Sequence, residues 1–230
     1  FVLTNPGFLG PDGALVGAPQ SIIRVGDGSA VGAAITATIA ASLTGGTQLT
    51  KTDLGTLVLT GANSYSGGTA INGGTVSVAS DAALGAASGA LALDTGTLRT
   101  TATLSLGRAT TVGAGGGTFE TAAGTTLTQT SGVSGAGRLT KAGGGTMVMA
   151  GVGSYLGGTT IAGGTLQVGA GGTTGTIAGD VVNNGTLAFD RADAVTFAGG
   201  ISGAGAVRQQ GAGTTTLSGA ASYRGATTVA

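Results

Sequence analysis

Histidine, cysteine and tryptophan are absent from the 230 residues, so any chemistry must come from nine acidic groups, nine basic groups, three tyrosines and the hydroxyls. No disulfide framework, thiolate nucleophile, Cys/His metal site or Ser-His-Asp triad can be built from such a set. Carboxylates are what remain. Asp190 and Asp193 flank Arg191, with Asp180 nearby in sequence, and a pair of carboxylates can carry out glycosidic chemistry. Asp190, however, continues the apolar run of Leu187 and Phe189, Asp193 falls in the next turn, and no acidic group recurs one unit along. The cluster reads as a solvated turn. Gly26-Asp27-Gly28 and the run GAGGG at 113–117 lack the lysine, the following helix or the calcium-binding array that a phosphate or calcium site needs. They too read as turns. No catalytic, cofactor-binding or metal-ligating residue is assigned, no cofactor is expected, and the chain is not expected to be an enzyme.

Bulk properties narrow the classes further. Net charge is zero and only 8% of residues are charged, which excludes a polyelectrolyte and a nucleic-acid binder. A hydrophobic content of 41% suffices for a core. No uncharged, glycine-poor apolar run is long enough to span a membrane.

What organises the chain is self-similarity, which outranks other signals. LTKTDLGTLVLTGANSYSGGTAINGGTVSV at 49–78 returns at 139–168 as LTKAGGGTMVMAGVGSYLGGTTIAGGTLQV, and a third copy opens at 207. Lys51 and Lys141 match, as do Tyr65, Tyr155 and Tyr223; so do Gly67-Gly68 and Gly157-Gly158. The first two copies lie 90 residues apart and the next two 68, a difference of 22 that suggests a removable unit. A smaller motif, Gly-Thr followed by apolar–x–apolar, starts at Gly55, Gly74, Gly96, Gly117, Gly145, Gly164, Gly185 and Gly213, in steps of 19, 22, 21, 28, 19, 21 and 28.

Within each motif the period is two. After Gly55-Thr56, Leu57 and Leu59 share one side and Val58 the other; Met147 and Met149 repeat this after Gly145. Short Thr-, Val- and Leu-rich runs bounded by glycine read as strands and turns, without capped helices or regular hairpin loops. Stacked strand–turn coils satisfy this pattern. The expected fold is all-β, a parallel β-solenoid (β-helix) of about 19–28 residues per coil and roughly ten coils. The inward column is Leu57 and Leu59, Val76 and Val78, Leu98, Phe119, Met147 and Met149, Leu166 and Val168, Leu187 and Phe189, Thr215 and Leu217. The outward one is Val58, Ser77, Arg99, Glu120, Val148, Gln167, Ala188 and Thr216. Arg99 and Glu120 then sit on successive coils about 4.8 Å apart. The tyrosines, about 19 and 14 Å apart by coil count, are too far apart for one stacking platform. A repeated packing role at the same corner is expected of them.

Other stretches fit the same reading. Residues 1–22 hold all three prolines and form an expected irregular segment; 23–230 form the solenoid. Ile35 to Ile39 alternate and read as a strand rather than a helix. Arg108 is placed outward with Arg99, and Asn183-Asn184 is expected in a turn that uses the left-handed conformation asparagine tolerates. With no initiator Met, no signal peptide and an end inside the third copy, the chain is expected to be a slice of something longer.

KTDLGTLVLTGANSYSGGTAINGGTVSV, its copy at 141–168 and the partial copy at 209–229 resemble the passenger-associated repeat of bacterial autotransporter (type V secretion) proteins. Gly153 stands where the first copy has Asn63, and Gln209 where the others have lysine. The resemblance implies a right-handed, three-faced β-helix exported through the outer membrane to the bacterial cell surface. It implies partners in the same polypeptide, an N-terminal head and a C-terminal outer-membrane β-barrel translocator, with no membrane insertion of this segment. The expected role is a structural stalk that supports passenger folding and export and presents an adhesive or virulence head. The alternative is that the solenoid surface is itself an adhesin for host matrix, glycans or other passengers.

Overall fold

A strand of three or four residues with one apolar side cannot bury that side alone; it needs a parallel neighbour above and below and other faces across a shared interior. The computed structural model of the chain, which describes residues 2–4 and 20–230 with side chains from Ser21 onward, adopts that solution. Among the described residues nearly all regular structure is strand, wound into a parallel β-solenoid of about ten turns. Three sheets form its faces. The first runs through Gln48–Thr52, Thr69–Ile71, Leu91–Leu93, Thr110–Val112 and Val133–Gly135. The second has nine strands, from Thr36–Ile39 to Ile201–Ser202. The third starts at Leu104–Leu106 and ends at Thr227–Val229. A two-stranded sheet, Val195–Phe197 with Thr215–Leu217, falls in chain order where the first face continues. The expected segment 1–22 lies mostly outside the described residues; Val2–Thr4 pairs antiparallel with Gln20–Arg24.

Register gives the coil length. Partners on the second and third faces differ by 19 to 23 residues, as in Thr56↔Thr75 and Leu104↔Leu127. Gln20↔Gln48 spans 28, because this first coil accommodates one helical turn, Ala30–Ala33, capped by the Ser29 side chain. The strand expected across Ile35 to Ile39 is present as Thr36–Ile39, directly after that turn.

The expected inward residues are buried, apart from Thr215 and Leu217 in the last coils, which are half-buried. They do not form one column. Leu57, Val76, Leu98 and Phe119 stack on the second face, and the next residue in that file is Lys141. Met147, Leu166 and Leu187 stack on the third face, beneath Leu127. The Gly-Thr motif therefore changes face between Gly117 and Gly145, and again between Gly185 and Gly213. Its 28-residue steps are one coil plus one face, not a long coil. Arg99 and Glu120 stand side by side as expected, with Arg99 Nε 3.1 Å from Glu120 Oε1.

Candidate functional site

Polar groups brought into a solenoid core must find partners there, because an unpaired buried donor or acceptor is strongly unfavourable. The repeat copies are built around such groups. In the first copy Lys51 is fully buried, and its Nζ donates to the carbonyls of Thr52 at 2.6 Å, Asp53 at 2.7 Å and Gly73 at 3.3 Å. In the second, Lys141 Nζ donates to Ala142 O at 2.6 Å, Gly143 O at 3.0 Å and Gly163 O at 3.3 Å. Each ammonium ties the turn that follows its own strand to the turn one coil further on. Burial draws both down to about 8, against the opposing pull of Asp53 on Lys51 and of Glu120 on Lys141. Gln209 fills this position in the third copy, its Nε2 donating to Gly211 O and Gly213 O, both at 2.9 Å. The departure from lysine keeps the bonds to the residue's own turn but not the bond to the turn one coil on.

The tyrosines close the other end of each unit. Tyr65 and Tyr155 are fully buried, each hydroxyl 2.7 Å from a threonine four residues on, Thr69 and Thr159. Tyr223 repeats the contact with Thr227 at 2.7 Å. Burial pushes the Tyr65 and Tyr155 phenols up to about 12. The Gly-Gly pair after each tyrosine has two tasks. Gly68 and Gly158 take φ of +82° and +72°, where a side chain is disfavoured. A Cβ on Gly67 or Gly157 would run into the backbone of Gln48 or Arg138 one coil back. Copy two lacks Asn63, which bridges coils by accepting from Leu43 N at 2.7 Å and donating to Ala83 O at 2.6 Å. At Gly153 a Cβ would lie 2.7 Å from Thr176 O, leaving no room for asparagine.

The copies do not share a corner. Lys51 lies on the first face, Lys141 on the second and Gln209 on the third. The separation of 90 residues is four coils plus one face and that of 68 is three coils plus one face, so the unit turns by a face each time. The expectation of one common corner for the three tyrosines is therefore corrected: the local packing repeats, but the azimuth does not.

Two arginines expected in solvent or in a turn are internal. Arg108, expected outward, is fully buried. Its Nε donates to Asp81 Oδ1 at 2.7 Å, and its remaining nitrogens serve the carbonyls of Asp81, Leu84, Gly85, Ala86 and Gly89. Arg191 donates to Thr173 O and Gly175 O at 2.6 Å and to both Asp193 oxygens, which hold the Asp193 carboxyl below its ordinary range. Asp190 accepts instead from Gln167 at 2.9 Å, and Asp180 from the Gly200 N–H at 2.7 Å. The three carboxylates are thus each held by a different partner. Asn183 is also internal; it donates to Ala206 O and accepts from Gly185 N. The non-glycine residues with positive φ among those described are Asp53 and Thr95, so the left-handed turn expected at Asn183-Asn184 is not there.

A parallel solenoid whose recurring residues bind its own turns defines the class of protein: a repeat solenoid. Residues 49–78, 139–168 and 207–230 match the passenger-associated-transport-repeat family. A stretch of 54 residues is 76% identical to the "Adhesin BmaC autotransporter" of Brucella suis biovar 1 (strain 1330), covering 24% of this chain and 2% of that protein. The chain thus spans a small fraction of the length of the relative it matches. No solved structure matches. Three stretches of the chain are thus similar to the passenger-associated transport repeat, and one segment is similar to part of an autotransporter adhesin.

Proposed function

We propose that this chain is a stalk segment of a surface-displayed autotransporter passenger, a folding and export module and not an enzyme. The observation that carries this reading is where the shared residues point. Lys51, Lys141 and Gln209, with the three tyrosines, bind turns and threonines of the solenoid itself, and successive copies turn by one face. A repeat used to grip one ligand would keep its residues outward and aligned. One used to close coils serves equally well on any face. Each coil offers the next an exposed parallel edge as template, so folding outside the outer membrane would oppose backsliding of the chain. The partners on this reading are a translocator barrel and a distal head in the same polypeptide, with the segment held at the cell surface.

The name of the Brucella relative favours a second reading, in which the solenoid surface is itself adhesive toward host matrix, glycans or other passengers. Both are tested by displaying the full passenger on cells. In the stalk reading, Arg99→Ala leaves protease-resistant display and adhesion intact, whereas Leu59→Asp abolishes the display. Loss of adhesion with display intact, in a panel of outward substitutions on this segment, would favour the adhesin reading. Full display of Leu59→Asp would overturn the stalk reading.

A further inference from the structure

Two Asn-Gly pairs sit in turns between faces: Asn72-Gly73 after the strand Thr69–Ile71, and Asn184-Gly185 after Val181–Asn183. Glycine leaves its own nitrogen unshielded for attack on the preceding side chain, and asparagine is among the chemically labile residues. The fold restrains the two pairs differently. Asn184 Oδ1 accepts from Ala204 N at 3.2 Å, and the Gly185 N–H donates to Asn183 Oδ1 at 3.1 Å. Side chain and nucleophile are both held. The Asn72 side chain is exposed and makes no hydrogen bond among the described residues; Gly73 is itself buried, but its N–H has no backbone acceptor among them. Only main-chain groups of Asn72 are engaged, its N–H by Lys51 O at 2.8 Å and its carbonyl by Thr95 Oγ1 at 3.3 Å.

We propose that Asn72 is a site of spontaneous covalent modification, its side-chain amide passing through a cyclic imide to a carboxylate. The Gly73 nitrogen attacks Asn72 Cγ and gives up its proton to solvent. The Cγ–Nδ2 bond breaks, ammonia leaves, and a succinimide ring closes. Water then adds to either ring carbonyl and cleaves that C–N bond, giving aspartate or isoaspartate. One water is consumed and one ammonia released, with no oxidant or reductant.

The location gives this reaction a structural consequence. Gly73 O is one of the three acceptors of the Lys51 ammonium. An isoaspartate link lengthens the backbone just before that carbonyl and draws it off the cap, so the first repeat loosens with age. The second copy has Ala162 at this position and keeps the matching Lys141–Gly163 bond, so Asn72→Ala suits the turn and serves as the control.

The test is to incubate the native chain at mildly alkaline pH, digest it and locate the amide-to-acid conversion by fragment mass spectrometry. Asn72 is expected to convert roughly tenfold or more faster than Asn184, because only its side chain and the following N–H are unheld by hydrogen bonds. In denaturant the two are expected to convert at similar rates, and Asn72→Ala removes the native acidic species. Native conversion of Asn184 matching that of Asn72 would overturn the proposal. So would an Asn72 that stays amidated in the native chain while it converts in denaturant.

Discussion

Lys51 and Lys141 each place an ammonium group where water does not reach and surround it with three carbonyl oxygens. Gln209 shows that an uncharged donor serves the same turn. Lys141→Gln is therefore expected to keep the bonds to its own turn and, losing the bond to Gly163 O, to lower stability by about 1 kcal/mol. Lys141→Met orphans buried acceptors and is expected to lower stability by about 1–3 kcal/mol. A further consequence is a dependence on pH. The folded lysines sit at about 8 and the unfolded ones at 10.5. Across that window the unfolded chain keeps protons that the folded chain has lost, so stability rises with pH. The buried tyrosines act oppositely. Their folded value of about 12 exceeds the unfolded 10.0, so stability falls as the unfolded phenols ionise. Urea midpoints measured from about pH 7 to 11 should climb to a maximum near pH 10 and then drop. A monotonic fall from neutral pH upward would count against the buried ammonium groups. The sequence holds a clue to the internal charges that is easily set aside. Leu106, Arg108, Thr110 and Val112 share one parity and all are buried. Parity puts Arg108 inside; the general preference of arginine for water argues for outside, and only the converging carbonyls of 81–89 decide between them.

At the scale of the element, strands are short because the corners do the holding. The loop that contains the 3-10 turn Asp81–Leu84 has no strand of its own, and Arg108, three strands further along the chain, supplies its missing donors. Arg108→Met leaves five carbonyls and Asp81 without their shared donor, an expected loss of about 3–5 kcal/mol that thermal unfolding would reveal. The half-buried, solvent-facing Arg99–Glu120 pair should behave differently, with Arg99→Ala changing stability by no more than about 1 kcal/mol. The strands and their inward side were legible from period-two alternation: Leu57, Leu59, Phe119, Leu166 and Leu187 are buried as their spacing indicates, but Ser77, Val148 and Ala188, placed outward, are buried too. The helical turn Ala30–Ala33 was not, because four residues are too few to show a helical period.

Across the whole molecule the informative quantity is azimuth. A Gly-Thr pair marks the entry to a strand and carries no label for which face that strand joins. Steps of 19 to 22 stay on a face, and a step of 28 moves to the next; along the sequence alone, the longer step resembles an insertion. Pairing supplies the missing coordinate, since Thr118 meets Thr140 on the second face while Thr126 meets Thr146 on the third. If the coil is the unit of structure, whole coils are exchangeable and single faces are not. The most direct measurement compares two deletions by far-UV circular dichroism and limited proteolysis. Removing Thr118–Leu139 joins Gly117 to Thr140, one coil shorter and in register. Removing Thr126–Ser131 takes out one face and misaligns those that follow. The first deletion is expected to keep a β spectrum and a protease-resistant core, and the other to lose both. Equal survival of the two, or loss of the whole-coil variant alone, would contradict a solenoid built coil by coil.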